Sequence, residues 1–215
     1  MMAGTAGIFC DLDGTLTDPK LGITQCIQYA LDRLGAEVPT ADELTWCIGP
    51  PLLESFESML GDGGAARLAL QHYRERFSDT GWRENEVYDG IPEALASLAE
   101  SGAVLFVATS KPQVYAERLV EHFGLAPCFE RIFGPTLDGQ RVKKGDLLAF
   151  ALEKTGLPPT AALMIGDRSH DIVGAHENGI GSVGVLYGYG TRNELETAGA
   201  HRLVLSPSEL GNLLV

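Results

Sequence analysis

Short apolar runs, separated by segments with helical periodicity, constrain the fold of this chain more than any other feature. The runs have the length of buried strands, and the segments between them carry apolar residues every three or four positions. Strands of this kind that alternate with amphipathic helices are typical of a mostly parallel sheet covered by helices. The sequence therefore predicts a Rossmann-like, doubly wound α/β fold. The runs are GIFCDL (7–12), AVLFVAT (103–109), ALMIG (162–166), SVGVL (182–186) and RLVL (202–205).

The stretch after the first run has a different pattern. Ile23 and Ile27 begin an apolar face with helical spacing, and further helical segments follow between breaks rich in Gly and Pro. No run in this stretch is typical of a strand. We therefore predict a small helical domain, residues 17–86, inserted into an α/β core formed by 1–16 and 87–215.

Composition excludes several classes of partner. The 215-residue chain carries a formal net charge of −13, which argues against binding a nucleic-acid polymer or an anionic membrane surface. The N-terminal residues contain no basic segment followed by a long apolar run, so neither a signal peptide nor a membrane anchor is expected. The four cysteines are widely spaced and are typical of reduced thiols in a cytoplasmic protein. We expect a monomer or a weak homodimer.

Polar side chains follow three of the predicted strands at the point where each strand ends. Ligands of open parallel sheets bind beyond the carboxyl ends of the strands, so these side chains are expected to converge at one edge. Lys143 and Lys144 precede a predicted helix and would bring positive charge to the same edge. The strand-end residues are Asp11, Asp13, Gly14 and Thr15, then Thr109, Ser110 and Lys111, then Asp167 and Asp171.

Paired aspartates at the end of a buried strand need a compensating cation, because like charges repel and burial penalises both carboxylates. Mg²⁺ is the ion that suits clustered carboxylates, and it commonly shares its coordination with substrate phosphate. The metal and a lysine would then stabilise the charge of a transferring phosphoryl group. In such a site, one aspartate attacks phosphorus and its neighbour transfers the proton. The residues therefore indicate phosphoryl-transfer chemistry.

Several of these residues also fit structural roles. Ser110 and Gln113 have the spacing of a helix capping box, which favours a cap over a ligand for Ser110. Asp171 begins a predicted helix, where an acid is favoured by the helix dipole. Arg168 and His170 are interpreted as groups that fix the loop or line its rim, because an aspartate of the pair already supplies the acid/base function.

The ordered motifs DLDGT (11–15), ATSKP (108–112), KKGD (143–146) and GDRSHD (166–171) resemble those of the haloacid dehalogenase-like phosphohydrolases, over essentially the whole chain. The resemblance implies that Asp11 is the nucleophile and Asp13 the general acid/base. Thr109 would hydrogen-bond the phosphoryl group and Lys144 would balance its charge. Lys144 is preferred to Lys143 because KGD matches the K-[AG]-D pattern of this branch.

The resemblance also implies the metal and substrate contacts. Asp167 would bind Mg²⁺ together with Asp11 and the backbone carbonyl of Asp13, and Asp171 would complete the metal shell. The helical insertion would be a C1 cap that closes over the site, with the loop CIGPPL (47–52) facing the phosphate. The expected substrate-binding residues are Thr15, Gly49, Ser110 and Lys111.

Substrate identity is less constrained than the chemistry. The segments CIGPPL, GDRSHDIVGA and GVLYGYG resemble a bacterial branch that contains 5′-nucleotidases and relatives of phosphoglycolate phosphatases. The expected function is therefore an Mg²⁺-dependent phosphomonoesterase, with nucleoside 5′-monophosphates favoured. Phosphoglycolate, a sugar phosphate or pyrophosphate is the alternative substrate, and a non-catalytic binding protein of the same fold is the distant alternative.

Overall fold

The computed structural model describes residues 7–213 and divides the chain into two compact units. The first unit combines the residues up to Thr17 with those from Val87 onward, and the second comprises Asp18–Glu86. None of the helices among the described residues is long and apolar enough to cross a membrane.

The first unit is built on a six-stranded sheet in which every paired neighbour is parallel. The chain visits the strands from the centre to one edge and then from the centre to the other. Since crossover connections are right-handed, this reversal places helices on both faces of the sheet. The predicted doubly wound α/β fold is confirmed. In sheet order the strands are β5 (Arg131–Phe133), β4 (Val104–Ala108), β1 (Gly7–Cys10), β6 (Ala162–Gly166), β7 (Gly181–Val185) and β8 (Arg202–Val204). Two short strands, β2 (Thr17–Asp18) and β3 (Glu86–Val87), pair with each other in a separate sheet.

The helices of the first unit follow its strands, as the alternating pattern predicts. A core of aromatic and aliphatic side chains lies between sheet and helices, and within it the rings of Phe9 and Phe106 stack with centroids 5.0 Å apart. Burial of such side chains is the main stabilising contribution, at about 1.5–3 kcal/mol each. The helices are α4 (Ile91–Glu100), α5 (Gln113–His122), α6 (Lys144–Thr155), α7 (Ser169–Glu177) and α8 (Arg192–Thr197).

The second unit consists mainly of helices packed on one another. The apolar face that begins at Ile23 and Ile27 is buried, as its spacing predicts. The rings of Tyr73 and Phe77 stack at 5.4 Å, and an Arg76–Glu84 ion pair of 2.7 Å ties the end of the unit to its longest helix. The helices are α1 (Lys20–Arg33), α2 (Leu52–Leu60) and α3 (Gly63–Asp79).

The structure corrects two sequence-based expectations. The edge strand β5 was not predicted, because its three residues are too few for a periodic signal and only Phe133 is fully buried. The capping box at Ser110 is wrong, because α5 begins at Gln113 with Pro112 at the N-cap and no side chain caps it. A residue that precedes proline is disfavoured in helical conformation, so Lys111 is unfavourable in the first turn that Ser110 would cap.

Candidate active site

The carboxyl ends of the central strands bring the predicted acids to one edge of the sheet. Cys10, the last residue of β1, pairs with Val107 on β4 and with Ile165 on β6. Asp11 therefore follows its strand at the level where β4 and β6 also end. Thr109 and Asp167 come just after those ends and, like Asp11, are almost completely buried. The in-register parallel strands thus gather these groups, as expected at such an edge.

Lys144 lies between two buried carboxylates. Its ammonium nitrogen is 3.1 Å from Oδ1 of Asp11 and 2.7 Å from Oδ1 of Asp171, and it donates a hydrogen bond of 2.8 Å to the carbonyl of Ala108. All three charged side chains are at most 2% exposed. The ammonium therefore compensates two negative charges from different elements. The exposed Lys143 precedes it as the N-cap of α6.

The protonation of this cluster follows from burial and from the shared lysine. Burial raises the pKa of Asp11 to about 6, against the opposing effect of Lys144 and with the help of Asp171 and Asp13. Burial is the largest single effect on the pKa of Asp171 and acts to raise it, but Lys144, His170 and a backbone N–H together outweigh burial and the pKa falls below its ordinary value. For Lys144, burial favours a lower pKa, whereas the two carboxylates overcome it and raise the pKa. The lysine is therefore charged at neutral pH.

Asp13 and Lys111 form a second buried ion pair in the same region. The ammonium nitrogen of Lys111 is 2.7 Å from Oδ2 of Asp13, and both side chains are at most 10% exposed. Oδ1 of Asp13 is buried and has no hydrogen-bond partner among the described residues. The hydroxyl of Thr109 accepts a 3.2 Å hydrogen bond from the backbone N–H of Lys111, which fixes the turn after β4. Lys111 thus contacts a catalytic candidate, a contact that the sequence left undetermined.

Asp167 is held by residues from two other loops. Its Oδ2 accepts a 2.8 Å hydrogen bond from the backbone N–H of Tyr189, and its Oδ1 lies 3.4 Å from the donating hydroxyl of Thr15. Burial raises the pKa of Asp167 well above its ordinary value, and the neighbouring Asp171 and Asp11 add to the effect. A fully buried carboxylate with so little compensation favours a cation beside it.

Hydrogen bonds within the loop and to α8 fix the segment that carries Asp167 and Asp171. Oδ2 of Asp171 accepts a 3.1 Å hydrogen bond from the backbone N–H of Arg168 and closes the first turn of α7. Oε1 of Glu194 accepts from Nε of Arg168 at 3.0 Å and from the N–H of Ser169 at 2.8 Å. Glu194 was missed by the sequence analysis, because nothing in a helix 23 residues beyond Asp171 signals a contact with this loop.

The donor set of the cluster fits a divalent cation. Asp11, Asp171 and a ring nitrogen of His170 offer ligand atoms that all lie within 4.8 Å of one another. Burial lowers the pKa of His170, which keeps its imidazole neutral. Carboxylate oxygens are the ligands that Mg²⁺ prefers, and Oδ1 of Asp13 is a further buried oxygen without a partner. His170, which the sequence suggested as a loop-fixing group, thus lies beside the nucleophile candidate.

Ser110 and Gly49 are the two remaining residues that were predicted to bind substrate. Ser110 is partly buried in the turn before α5 and caps no helix. Gly49 belongs to the second unit, where it lies between a 3-10 turn at Thr45–Cys47 and α2 with a φ of 104°. Both remain predictions as substrate contacts.

A family model described as haloacid dehalogenase-like hydrolase matches residues 8–185. The chain belongs to this family. The matched residues include every strand-end motif of this member of the family, from Asp11 to Asp171. The crystal structure of a predicted phosphatase from Clostridium acetobutylicum has the same fold, with a TM-score of 0.94 at 41% identity over 97% of this chain and 98% of the other.

Curated relatives of this haloacid dehalogenase-like hydrolase carry different names. A 5′-nucleotidase of Pseudomonas aeruginosa is 49% identical over 87% of this chain and 86% of the relative. The tyrosine-protein kinase PtkA of Mycobacterium tuberculosis is 44% identical over 85% of this chain but only 62% of the relative. A phosphoglycolate phosphatase of Photobacterium profundum is 30% identical over 86% of this chain and 85% of the relative.

Proposed function

We propose that this hydrolase is an Mg²⁺-dependent phosphomonoesterase that forms an aspartyl-phosphate on Asp11 and acts on nucleoside 5′-monophosphates. One observation carries the proposal: Asp11, a buried carboxylate at the end of β1, is paired with Lys144 at 3.1 Å, and its ligand atom lies within 4.8 Å of those of Asp171 and His170. Two buried carboxylates that share one ammonium keep a net negative charge, which is unfavourable in a merely structural site. Their cost is explained if the cluster binds a cation and a phosphoryl group.

In the first half-reaction, a carboxylate oxygen of Asp11 attacks phosphorus. A bond forms between that oxygen and phosphorus, and the bond from phosphorus to the ester oxygen breaks. Asp13 takes up a proton when the substrate binds and donates it to the leaving oxygen, which departs as an alcohol. The Lys111 ammonium, 2.7 Å from Asp13, is placed to stabilise the carboxylate left behind.

In the second half-reaction, water attacks the phosphorus atom of the aspartyl-phosphate. Asp13 takes a proton from that water, and the bond between phosphorus and the Asp11 oxygen breaks. Inorganic phosphate leaves, Asp13 releases that proton, and both aspartates return to their starting states. Lys144 remains beside Asp11 throughout and offsets negative charge on the phosphoryl oxygens, an electrostatic contribution that grows in a buried site.

The cation would be held by the carboxylates of Asp11 and Asp167 and by the backbone carbonyl of Asp13, with Asp171 supporting the shell. When bound, Mg²⁺ supplies positive charge that neutralises substrate phosphate and helps to position it for in-line attack. Thr109 would donate a hydrogen bond to the phosphoryl group. The helical unit 18–86 would act as the cap that selects the substrate, with Gly49 presenting its backbone N–H.

Nucleoside 5′-monophosphates are favoured because the relative at 49% identity is named a 5′-nucleotidase. Phosphoglycolate is the second candidate, supported by the relative at 30% identity. The core residues do not separate these substrates, since all phosphomonoesters present the same phosphoryl group to them.

The test is phosphate release from mononucleotides, phosphoglycolate, sugar phosphates and pyrophosphate, with kcat/KM measured in Mg²⁺ and in EDTA. We expect Mg²⁺-dependent hydrolysis with a mononucleotide preferred. Asp11→Asn should abolish it, while the matched control Asp146→Asn, at an exposed acid of α6, should retain it. Circular dichroism would verify that both variants are folded.

Three results would contradict parts of the proposal. Hydrolysis that survives Asp11→Asn would reject the nucleophile. A tenfold preference for phosphoglycolate, equivalent to about 1.4 kcal/mol of transition-state stabilisation, would reverse the order of substrates. Transfer of phosphate from ATP to a tyrosine peptide, without release from any monoester, would overturn the hydrolytic reaction itself.

A further inference from the structure

The loop after β7 closes a ring of hydrogen bonds with the turn after β1 and with Asp167. The hydroxyl of Tyr187 donates to the backbone carbonyl of Thr15 at 3.0 Å. Two residues further on, the N–H of Tyr189 donates to Oδ2 of Asp167 at 2.8 Å, and Oδ1 of the same carboxylate faces the hydroxyl of Thr15 at 3.4 Å. The orientation of Asp167 therefore depends on a loop outside the strand-end motifs.

The loop approaches Asp167 so closely that only glycine fits at two positions. A Cβ atom added at Gly188 would lie 2.4 Å from Cβ of Asp167 and 2.2 Å from the carbonyl oxygen of Gly14. A Cβ atom added at Gly190 would lie 1.8 Å from the backbone oxygen of Asp167. Both distances are far below van der Waals contact, so any larger residue would displace either the loop or the carboxylate.

The side chain of Tyr187 is fixed independently of its hydroxyl contact. Its ring packs edge-to-face against Tyr88 with centroids 5.3 Å apart. Burial raises the pKa of Tyr187, and nearby Cys10 and Asp167 contribute to the increase, so the hydroxyl keeps its proton and acts as a donor. Edge-to-face packing is a favourable aromatic contact, and it helps to hold the ring from which the hydroxyl reaches the turn after β1.

We propose that the segment Tyr187–Gly190 is a positioning element that sets the Asp167 carboxylate and the turn at Thr15 for cation binding. The inference rests on the proposed function, since it assigns Asp167 to the cation. Partners of this kind fix the direction of ligand oxygens, and their loss typically costs about 10- to 100-fold in metal affinity or activity. Tyr187 acts through the turn at Thr15, Gly188 and Gly190 act through Asp167, and none of the three touches the substrate phosphoryl group in this assignment.

The test compares Mg²⁺ binding to Tyr187→Phe, Gly188→Ala and the wild type by isothermal titration calorimetry without substrate. Gly181→Ala is the matched control, because its Cβ would meet only the Leu163 side chain at 3.1 Å and a backbone oxygen at 3.6 Å, at the other end of β7. We expect the Kd for Mg²⁺ to rise about tenfold or more in Tyr187→Phe and Gly188→Ala, and to stay within twofold in Gly181→Ala. At saturating Mg²⁺, kcat of Tyr187→Phe should recover to within about threefold of wild type.

The possible outcomes separate this inference from the proposed function. Wild-type protein that neither binds Mg²⁺ nor hydrolyses phosphomonoesters contradicts the proposed function, and this inference with it. Wild-type binding with an unchanged Kd in Tyr187→Phe overturns the positioning role alone, whatever happens to the melting temperature. If Gly188→Ala does not fold, Tyr187→Phe decides the question, because it removes one oxygen and leaves the ring packed on Tyr88.

Discussion

Replacing Lys144 by Met would leave two carboxylates buried without their shared cation. The ammonium lies 3.1 Å from Asp11 and 2.7 Å from Asp171 in a region that is almost completely excluded from solvent. Met keeps most of the length of the lysine stem and removes the charge. The variant therefore isolates the electrostatic contribution of Lys144 to folding, with little change in packing.

The expected loss follows from those distances and from burial. At an effective dielectric constant of 20, each contact has a gross attraction of about 5–6 kcal/mol, most of which is offset by the cost of burying the charges. Removing one partner of a buried pair leaves that cost uncompensated and typically destabilises by about 3–5 kcal/mol. We expect Lys144→Met to lower the free energy of unfolding by about this amount in the absence of Mg²⁺.

The assay is urea denaturation followed by circular dichroism in EDTA at pH 8 and at pH 5. In the wild type the pKa of Asp171 lies below its ordinary value, so the stability from its ion pair is present at both pH 8 and pH 5 and is lost only at lower pH. Burial raises the pKa of Asp11 to about 6 although Lys144 opposes the shift, so loss of Lys144 raises this pKa further and Asp11 is protonated at pH 5 in the variant. The deficit of Lys144→Met should therefore be smaller at pH 5 than at pH 8. Lys143→Met, at the exposed neighbouring residue, should change stability by less than about 0.5 kcal/mol.

Equal effects of the two lysine substitutions would refute this reasoning. A deficit below about 1 kcal/mol in Lys144→Met, with no dependence on pH, would show that the buried carboxylates do not need the ammonium. Adding Asp171→Asn to Lys144→Met should recover part of the loss, because it removes one of the two uncompensated charges.

Three further predictions concern the cation, the loop and the phosphoryl contact. Because the pKa of Asp11 is raised to about 6, protons should compete with Mg²⁺ for this carboxylate below that pH. The Kd for Mg²⁺ measured by calorimetry should therefore rise several-fold from pH 7.5 to pH 5. A constant Kd would exclude Asp11 as a ligand. Glu194→Ala removes the acceptor for Arg168 and Ser169, and should lower the free energy of unfolding by about 1–3 kcal/mol in urea titrations, unlike Glu196→Ala on the same helix. Thr109→Val should reduce kcat/KM about 10- to 100-fold with a small change in melting temperature, and unaltered kinetics would remove Thr109 from the site.

Much of the first unit is predictable from local patterns. The apolar runs predict the strands of the central sheet and one edge strand, because strands buried on both faces exclude polar residues over their whole length. The edge strand β5 is not predicted by an apolar run, because three residues with one exposed face carry no periodic signal. The capping box at Ser110 failed because Pro112 restricts the residue before it, a backbone effect stronger than the spacing of Ser110 and Gln113.

The candidate site, too, is predictable from the sequence only in part. The acids at the strand ends are recognisable because carboxylates that follow a buried strand have few structural explanations. The contact partners of those acids are not recognisable: the Tyr187 hydroxyl and the N–H of Tyr189 reach the site from the loop after β7, and Glu194 reaches it from α8. Their sequence separation from Asp11 and Asp167 leaves no local pattern to detect.

The sequence by itself determined the parallel α/β architecture, the family and the identity of the strand-end carboxylates, because each depends on hydrophobic periodicity or on short motifs along the chain. Tertiary structure alone decided that Lys144 bridges Asp11 and Asp171, that Lys111 pairs with Asp13, and that a glycine-lined loop seats Asp167. These contacts depend on distances of about 3 Å between residues far apart in the chain. Only the register of the parallel strands and the close approach of the loops set such distances.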